Sequence, residues 1–395
     1  MRCPSLEELP PPPPGLRGWP WTEGSVPLPG QMADGSQWPR ISIVTPNYNY
    51  ARYLEAAIRS VLLQGYPNLE FIIHDDGSTD GSLALISKYK NYITHWSSEP
   101  NRGQVYALNK ALSRTTGDLI NWLNSDDLLL PGALFTVAQL FKLKASIDII
   151  SGARVFRSAQ TQVEKIEIAS DKWPLMALGF PYFPQETTFI SRRLWEKTGV
   201  LDERLNYGFD TAFYAKALKL ADMILLTHAP LGVMRMHPVQ KTQRIDDSKL
   251  RELPIIGVEY FPGSGFFSRL IVRLHGTRFA IFADAILRCG MYYRAKSRFL
   301  LADYNWAEER WTLSPLVNPS GWYLYRKAPS RIWVKLSRAS FLGQTLVGKT
   351  RELVRRMRLV VCGDLAARRW VMWRINVLWR QLHGDTTHPP RPDVP

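Results

Sequence analysis

The stretch LEFIIHDDGSTD, residues 69–80, decides the fold class of this chain. Its first half, Leu69–His74, is a short apolar run typical of a buried strand, and its second half is an acidic, glycine-containing loop. The same arrangement recurs where the apolar run Leu119–Leu123 leads into Asn124-Ser125-Asp126-Asp127. Ligands of open α/β sheets bind beyond the carboxyl ends of the strands. Two acidic strand ends therefore predict a ligand site at one edge of a mainly parallel sheet.

Predicted strands and helices alternate around these two loops. The strand-like runs are 41–45, 69–74, 93–96, 119–123, 147–151 and 223–227. Helical periodicity covers 53–63, 82–89, 105–112, 131–143, 194–199 and 211–220. Such alternation is typical of βαβ units, so the sequence predicts an α/β fold with helices flanking the sheet.

The composition divides the 395 residues into three parts. Residues 1–39 include five consecutive prolines, Pro10–Pro14, which favours a disordered or polyproline II tail. Residues 40–250 carry the α/β pattern. Residues 251–395 hold 24 Lys and Arg against 10 Asp and Glu, and seven of the 14 Trp. We expect this third part to be a basic helical region with a boundary near residue 250.

The basic region predicts a polyanionic partner. On a helix, residues 368–382 place apolar side chains on one side with arginines flanking it, which favours an interfacial helix on an anionic membrane surface. A soluble helical domain with a solvated charged face is the alternative. Nucleic acid is not expected as a partner, because no RNA- or DNA-binding motif stands out.

The remaining features favour a cytoplasmic location, peripherally associated with the inner face of the cell membrane. The three cysteines, Cys3, Cys289 and Cys362, have no metal-ligand spacing and form no disulfide framework, which indicates a reducing compartment. We find neither a secretory signal nor an uncharged apolar run of about 20 residues.

The acidic loops have the chemistry that a nucleotide sugar requires. A leaving diphosphate needs its charge neutralised, which Mg²⁺ or Mn²⁺ held by carboxylates does well. Asp75 and Asp76 suit contacts with the base and ribose, whereas Asp126 and Asp127 suit the ribose and the metal. Taken singly, each motif has a simpler explanation, an Asx turn at Asp75-Asp76 and a helix cap at Asp126-Asp127.

Over residues 41 to about 240 the chain resembles an inverting family 2 glycosyltransferase of the GT-A fold, of the bacterial surface-polysaccharide type. The resemblance rests on motifs in the same order: IVTPNYN at 43–49, SVLLQ at 60–64, DDGSTD at 75–80, EPNRGQVYALNKA at 99–111, TGD at 116–118 and WLNSDD at 122–127.

The resemblance implies roles for individual residues of the donor site. Asp76 contacts the base, and Asp126 is the metal-binding member of an Asp-x-Asp motif whose first position is here Asn124. His237, in Arg235-Met236-His237, completes the metal shell or bonds a phosphate. The predicted nucleotide-sugar contacts are Pro46, Asn47, Tyr48, Asp75, Asp76, Arg102, Asn109, Lys110, Asn124 and Asp126, and the predicted metal ligands are Asp126, Asp127 and His237.

Inverting transfer needs a general base, and a carboxylate within reach of the acceptor hydroxyl is sufficient. Asp210, in Tyr207-Gly208-Phe209-Asp210, matches the family position of this base, although a helix N-cap is the simpler explanation. Glu186, beside Gln185, is the second candidate. Relatives often carry another Asp two residues after the base, where this chain has Ala212.

The sequence therefore predicts a metal-dependent, inverting hexosyltransferase of polysaccharide biosynthesis in the cell envelope. Its expected partners are a UDP-, GDP- or dTDP-sugar donor and a lipid-linked or glycan acceptor. Two alternatives stay open. A sugar nucleotidyltransferase shares the sheet type but lacks support from a glycine-rich triphosphate loop. A non-catalytic membrane- or polyanion-binding protein with a degenerate GT-A domain would account for Asn124 and Ala212.

Overall fold

A computed structural model describes residues 1–158, 164–167, 183–241, 252, 255–260, 298–305 and 310–315. The strands of this described part form one mixed sheet in the order β11-β10-β9-β6-β8-β4-β1-β2-β3, with β5 paired to β9 and β7 to β6. They are β1 Ile41–Asn47, β2 Leu69–Asp75, β3 His95–Ser98, β4 Leu119–Trp122, β5 Leu128–Leu129, β6 Ile147–Ser158, β7 Glu164–Glu167, β8 Thr188–Ser191, β9 Met223–Met236, β10 Arg298–Asn305 and β11 Arg310–Pro315.

The N-terminal half of the sheet is parallel, as the sequence predicts. β1 pairs in parallel with β2 on one side and β4 on the other, and β3 extends the sheet beyond β2. The helices are α1 Ala51–Leu62, α2 Ser82–Tyr89, α3 Gln104–Leu112, α4 Ala133–Lys142, α5 Arg192–Thr198 and α6 Phe209–Leu220. The predicted α/β fold with helices flanking the sheet is confirmed, and the predicted elements of residues 41–227 all form.

Helices cover both faces of the sheet. Ile43 and Phe71 pack with the apolar residues of α1, α2 and α4 on one face, whereas Val44 and Ile72 pack with those of α3, α5 and α6 on the other. This three-layer packing buries every residue of β1 and β2. It explains why these strands are near-continuous apolar runs rather than alternating ones.

Residues 1–39 differ from the expected disordered tail. They contain neither helix nor strand, but they pack against the α/β layers, and Cys3, Leu9 and Trp38 are buried in the core. The guanidinium of Arg59, on α1, donates to the carbonyl oxygens of Pro10, Pro20 and Trp21 at 2.8–3.0 Å. The proline-rich composition excludes regular structure but not packing, because the polar groups of this extended backbone find partners in the domain.

The fold also continues past the expected boundary near residue 250. β10 pairs in parallel with β9, β11 pairs with β10, and a helical turn at Ile256–Tyr260 packs against α6. Within the described part of the chain, no helix is both long and apolar enough to cross a membrane. The predicted interfacial helix at 368–382 lies outside the described residues.

Candidate active site

The carboxyl ends of β1, β2 and β4 meet at one edge of the sheet, as the two acidic loops predict. The Ser125 hydroxyl donates to the carbonyl oxygen of Pro46 at 2.7 Å, so the loop after β4 is bonded to the end of β1. The Asp76 backbone N–H donates to the Asn47 carbonyl at 2.8 Å, which joins the loop after β2 to the same strand. Tyr48, just beyond β1, is 45% exposed and presents its ring at this edge.

Asp75 holds the loop together and is enclosed by it, and its donor contact stays a prediction. It is 0% exposed. Its carboxylate accepts hydrogen bonds from the Asn47 amide, the Ser78 hydroxyl and backbone N–H, and the Ser98 hydroxyl, all within 2.6–2.9 Å. Asn47 donates in turn to Asp75 and Ser78, so its amide nitrogen also serves the loop.

Asp76 positions the start of α3. Its two carboxylate oxygens accept from the backbone N–H groups of Arg102 and Gly103, each at 2.9 Å. The side chain of Arg102 is thereby placed over the Tyr106 ring, with the guanidinium carbon 4.0 Å from the ring centroid. The carboxylate–base contact of Asp76 stays a prediction, and the geometry adds a positioning role.

Two residues of α3 with predicted donor contacts, Asn109 and Lys110, bind other groups of the protein. The Asn109 side chain exchanges hydrogen bonds with the backbone of Leu201 at 2.9 and 3.0 Å and donates to Glu203. It thus fastens α3 to the segment before α6, and its donor contact stays a prediction. Lys110 forms an ion pair with Glu99 at 3.1 Å and is partly exposed, the arrangement of a solvated helix residue.

Asp126 and His237 form a buried pair at the centre of the site. The His237 Nε2 lies 3.1 Å from the Asp126 Oδ2, although 111 residues separate them. The imidazole stacks on the Tyr53 ring with centroids 4.2 Å apart and also contacts Tyr50 edge-on. The sequence predicts both partners, but nothing in it indicates the aromatic residues of α1 and its N-terminus that fix the imidazole.

Arg235 is hydrogen-bonded to the turn that carries Asp126 and Asp127. Its guanidinium donates to the backbone carbonyls of Asp126, Ser125 and Tyr53, and its backbone N–H donates to the Asp127 Oδ1 at 3.2 Å. Burial lowers the pKa of this guanidinium, and the charges of Asp127 and Asp126 oppose that shift. The arginine therefore fixes the turn on which the two carboxylates stand.

Asn124 is held by neighbouring amides. Gln104 donates to its Oδ1 at 3.2 Å, and its own amide donates to the Gln185 Oε1 at 2.8 Å and to the Asp127 Oδ2 at 3.4 Å. An amide can accept or donate toward a ribose hydroxyl without adding charge. The arrangement is compatible with its predicted ribose contact.

Asp126 and His237 fit a divalent cation as two protein ligands. Carboxylate oxygen and imidazole nitrogen are both donors that Mn²⁺ accepts, and Mg²⁺ is commonly held by one or two carboxylates with substrate phosphates. In the described ranges no group of three or more His, Cys, Asp and Glu side chains is arranged around a common metal position. A cation here would therefore take its remaining ligands from a diphosphate and water.

A second set of carboxylates lies beside this pair, and burial raises the pKa of each. For Asp127 the charges of Asp126 and Glu186 add to the effect of burial, whereas for Glu186 the Arg154 guanidinium opposes it. Burial also raises the pKa of Asp210. The Tyr214 hydroxyl is close to both Asp210 and Glu186. Burial is the main cause of its raised pKa, and the charges of these two carboxylates raise it further. Raised carboxyl pKa values in one cleft are typical of proton-transfer sites.

Asp210 lies within the first turn of α6, whose N-cap is Gly208. Its Oδ1 accepts from the Thr211 backbone N–H at 2.6 Å, a contact of the kind that a capping carboxylate makes. The Glu252 carboxylate accepts from the backbone N–H groups of Asn206, Tyr207 and Gly208 at 2.6–2.9 Å and fixes the segment that leads into the helix. The role of Asp210 as general base stays a prediction. Sequence reasoning missed Glu252 because it lies beyond the expected boundary and 44 residues from Gly208.

Replacing Glu186 with Gln is expected to stabilise the ligand-free protein at pH 8 by a few degrees in Tm. A folded-state pKa above the ordinary value of 4.5 means that deprotonation opposes folding, so the wild type loses stability as pH rises through the folded-state pKa. The gain should disappear as pH falls below about 4.5.

Thermal unfolding of both proteins between pH 4 and 8 measures this effect. Glu196→Gln, at an exposed position on α5, is the matched control and should show no difference at any pH. A pH-independent Tm difference for Glu186→Gln would contradict the burial argument.

Comparison with known proteins places part of this site in a family. Residues 42–203 match the family model described as glycosyl transferase family 2. These residues form a family 2 glycosyltransferase domain. The match includes Asp76, Asp126 and Glu186 and ends seven residues before Asp210. The prediction of a glycosyltransferase is thereby confirmed at the level of the family.

Several curated relatives are similar to part of this chain. An uncharacterized glycosyltransferase of Rickettsia typhi is 28% identical over 53% of this chain and 68% of its own length. One of Nostoc sp. is 34% identical over 32% of this chain and 42% of its own length. The putative teichuronic acid biosynthesis glycosyltransferase TuaG of Bacillus subtilis is 41% identical over 22% of this chain, and the aligned region spans only 36% of that relative.

Two solved structures have low sequence identity to this chain. The S. aureus TarS structure in complex with UDP-GlcNAc has a TM-score of 0.48 at 18% identity, covering 64% of this chain and 80% of TarS 1–349. The mannosyltransferase PcManGT from Pyrobaculum calidifontis, in complex with GDP-Man and Mn²⁺, has a TM-score of 0.44 at 19% identity, covering 63% of this chain and 74% of that one.

Proposed function

We propose that this protein transfers one sugar, with inversion, from a UDP-, GDP- or dTDP-sugar to a hydroxyl of a lipid-linked or glycan acceptor in surface-polysaccharide biosynthesis. The observation that carries the proposal is the buried Asp126–His237 pair, which joins the loop after β4, inside the family 2 match, to the residue that follows β9. The name of TuaG supports the biosynthetic setting.

In this proposal each part of the site has one task. Tyr48, Arg102 and Asn124 contact the nucleotide at the strand ends, and Asp126 and His237 face its diphosphate. Bound Mn²⁺ or Mg²⁺ would neutralise charge on the diphosphate. Asp210 accepts the proton of the acceptor hydroxyl, because its raised pKa makes it a stronger base than an ordinary aspartate. Glu186 is the second candidate for this role.

The proposal extends to location. Residues 251–395 carry the excess of positive charge and half of the tryptophans, which supports attachment to an anionic membrane surface from the cytoplasmic side. A lipid-linked acceptor would be available to an enzyme held at that surface.

Donor binding is expected to raise the Tm in a metal-dependent way with one nucleotide class. A donor at 100 times its Kd stabilises a folded protein by about 2.7 kcal/mol. The experiment screens UDP-, GDP-, dTDP- and CMP-sugars with and without Mn²⁺ on the wild type and on Asp126→Ala. The shift should be lost in Asp126→Ala and retained in Asp222→Asn, an exposed position before β9.

The same experiment separates the alternatives. If no donor shifts the Tm while the protein still binds anionic liposomes, the non-catalytic hypothesis replaces this proposal. A Tm shift that is equal with and without Mn²⁺, and that persists in Asp126→Ala, would contradict the metal-dependent site. It would still support the nucleotide site.

A further inference from the structure

Lys241 follows His237 by four residues and donates hydrogen bonds to two other parts of the candidate active site. Its Nζ donates to the Gln104 Oε1, at the start of α3, at 3.0 Å. It also donates to the backbone and side-chain oxygens of Asn206 at 2.6 and 2.7 Å. The ammonium lies 5.2 Å from the centroid of the Tyr207 ring. The segment that carries His237 is thereby fastened to α3 and to the residues before α6.

Two side-chain amides connect Lys241 to the acidic turn after β4. Gln104 accepts from Lys241 through its Oε1 and donates through its Nε2 to the Asn124 Oδ1 at 3.2 Å. The Asn124 Nδ2 donates in turn to the Gln185 Oε1 at 2.8 Å and to the Asp127 Oδ2 at 3.4 Å. Gln104 and Asn124 therefore form an amide relay in which each amide accepts on the side of Lys241 and donates on the side of Asp127.

The direction of the amide relay is fixed at its two ends. An ammonium group can only donate, so Lys241 selects the oxygen side of the Gln104 amide. A carboxylate oxygen accepts, so Asp127 favours the nitrogen side of Asn124. Gln185 does not set the direction, because its own Nε2 has no hydrogen-bond partner among the described residues. Hydrogen bonds in a chain polarise one another, so the charge of Lys241 strengthens the bonds that follow.

We infer that Lys241 is a positioning residue of the donor site and acts on Asn124 through the amide relay. The relay directs the amide nitrogen of Asn124 into the protein, so only its oxygen is left to accept from a ribose hydroxyl. An aspartate at this position could donate to neither Gln185 nor Asp127, which explains why an amide replaces the first carboxylate of the Asp-x-Asp motif. The inference rests on the proposed function, because the nucleotide donor is the ligand whose site the relay orders.

Two substitutions of Gln104 test the relay by titration calorimetry with UDP, GDP and dTDP in the presence of Mn²⁺. Gln104→Glu keeps the acceptor for Lys241 but cannot donate to Asn124, and Gln104→Met removes both contacts without adding charge. Each is expected to weaken the nucleoside diphosphate that binds the wild type by about tenfold. Asn91→Asp, at an exposed position before β3, adds the same charge as Gln104→Glu and should leave the affinity unchanged. Thermal unfolding of every variant checks that it is folded.

A double-mutant cycle tests whether Lys241 acts through Gln104. Lys241→Met is expected to weaken the nucleoside diphosphate about tenfold in the wild type but less than about twofold in Gln104→Met, where the relay is already broken. Equal losses in the two backgrounds would show that Lys241 only fastens its segment, and would contradict the inference. Asn124→Asp is expected to bind the same ligand more weakly than the wild type, because it interrupts the relay.

Other results would also overturn the inference. A loss of affinity in Gln104→Glu but not in Gln104→Met would indicate charge repulsion in place of a relay. Tighter binding by Asn124→Asp would show that a carboxylate serves better than the amide. A wild type that binds none of the three nucleoside diphosphates contradicts the proposed function. One that binds a nucleoside diphosphate, with unchanged affinity in both Gln104 variants, contradicts this inference alone.

Discussion

Asp210→Asn is expected to lower kcat by about 10²–10⁴-fold while leaving donor affinity nearly unchanged. The substitution preserves the shape of the side chain and its acceptance of the Thr211 backbone N–H, but it removes the basic oxygen. Glu252 continues to accept from the backbone N–H groups of residues 206–208, so the fold around the site should persist. The measurement is release of nucleoside diphosphate in the presence of acceptor, with donor Kd determined separately.

Glu186→Gln provides the matched comparison for this prediction. Glu186 is almost fully buried, and its nearest cation, Arg154, lies 3.7 Å away, beyond hydrogen-bond distance. If Glu186→Gln lowers kcat strongly while Asp210→Asn keeps most of the wild-type kcat, the general base is Glu186. A rise in donor Kd equal to the loss of rate would instead indicate that Asp210 binds the donor.

Arg59→Met is expected to destabilise the protein by about 3–5 kcal/mol and to release residues 1–39. The side chain is 0% exposed and donates to three backbone carbonyls of the N-terminal segment and to the Tyr89 hydroxyl. Methionine fills a similar volume but leaves those buried acceptors without a donor. Chemical denaturation measures the free energy of unfolding, and limited proteolysis reports the release.

Arg52→Met, at an exposed position on the same helix, is the control and should change the free energy of unfolding by less than about 0.5 kcal/mol. Equal stability of Arg59→Met and wild type, with equal protease resistance of residues 1–39, would contradict the packing of the segment.

The elements that position the site depend on local pattern, and the sequence was sufficient to predict them. The runs Leu69–His74 and Leu119–Leu123 are strands because continuous apolar residues need burial on both faces, which a parallel sheet between helix layers provides. The acidic loops that follow therefore meet at one edge. Motif order then indicated the family, and with it Asp126 and His237.

Tertiary structure decided what each polar residue does. Asp75 and Asp76 are neighbours in sequence, yet Asp75 is enclosed by the loop after β2, whereas Asp76 binds the backbone of residues 102–103. Arg59 has the sequence context of a helix-surface residue and is buried only because the N-terminal segment covers it. Glu252 binds the backbone of residues 206–208, just before α6, from beyond the expected boundary. The partners in the contacts of Asp76, Arg59 and Glu252 lie 26 to 49 residues apart, and such pairings follow from how layers pack rather than from local periodicity.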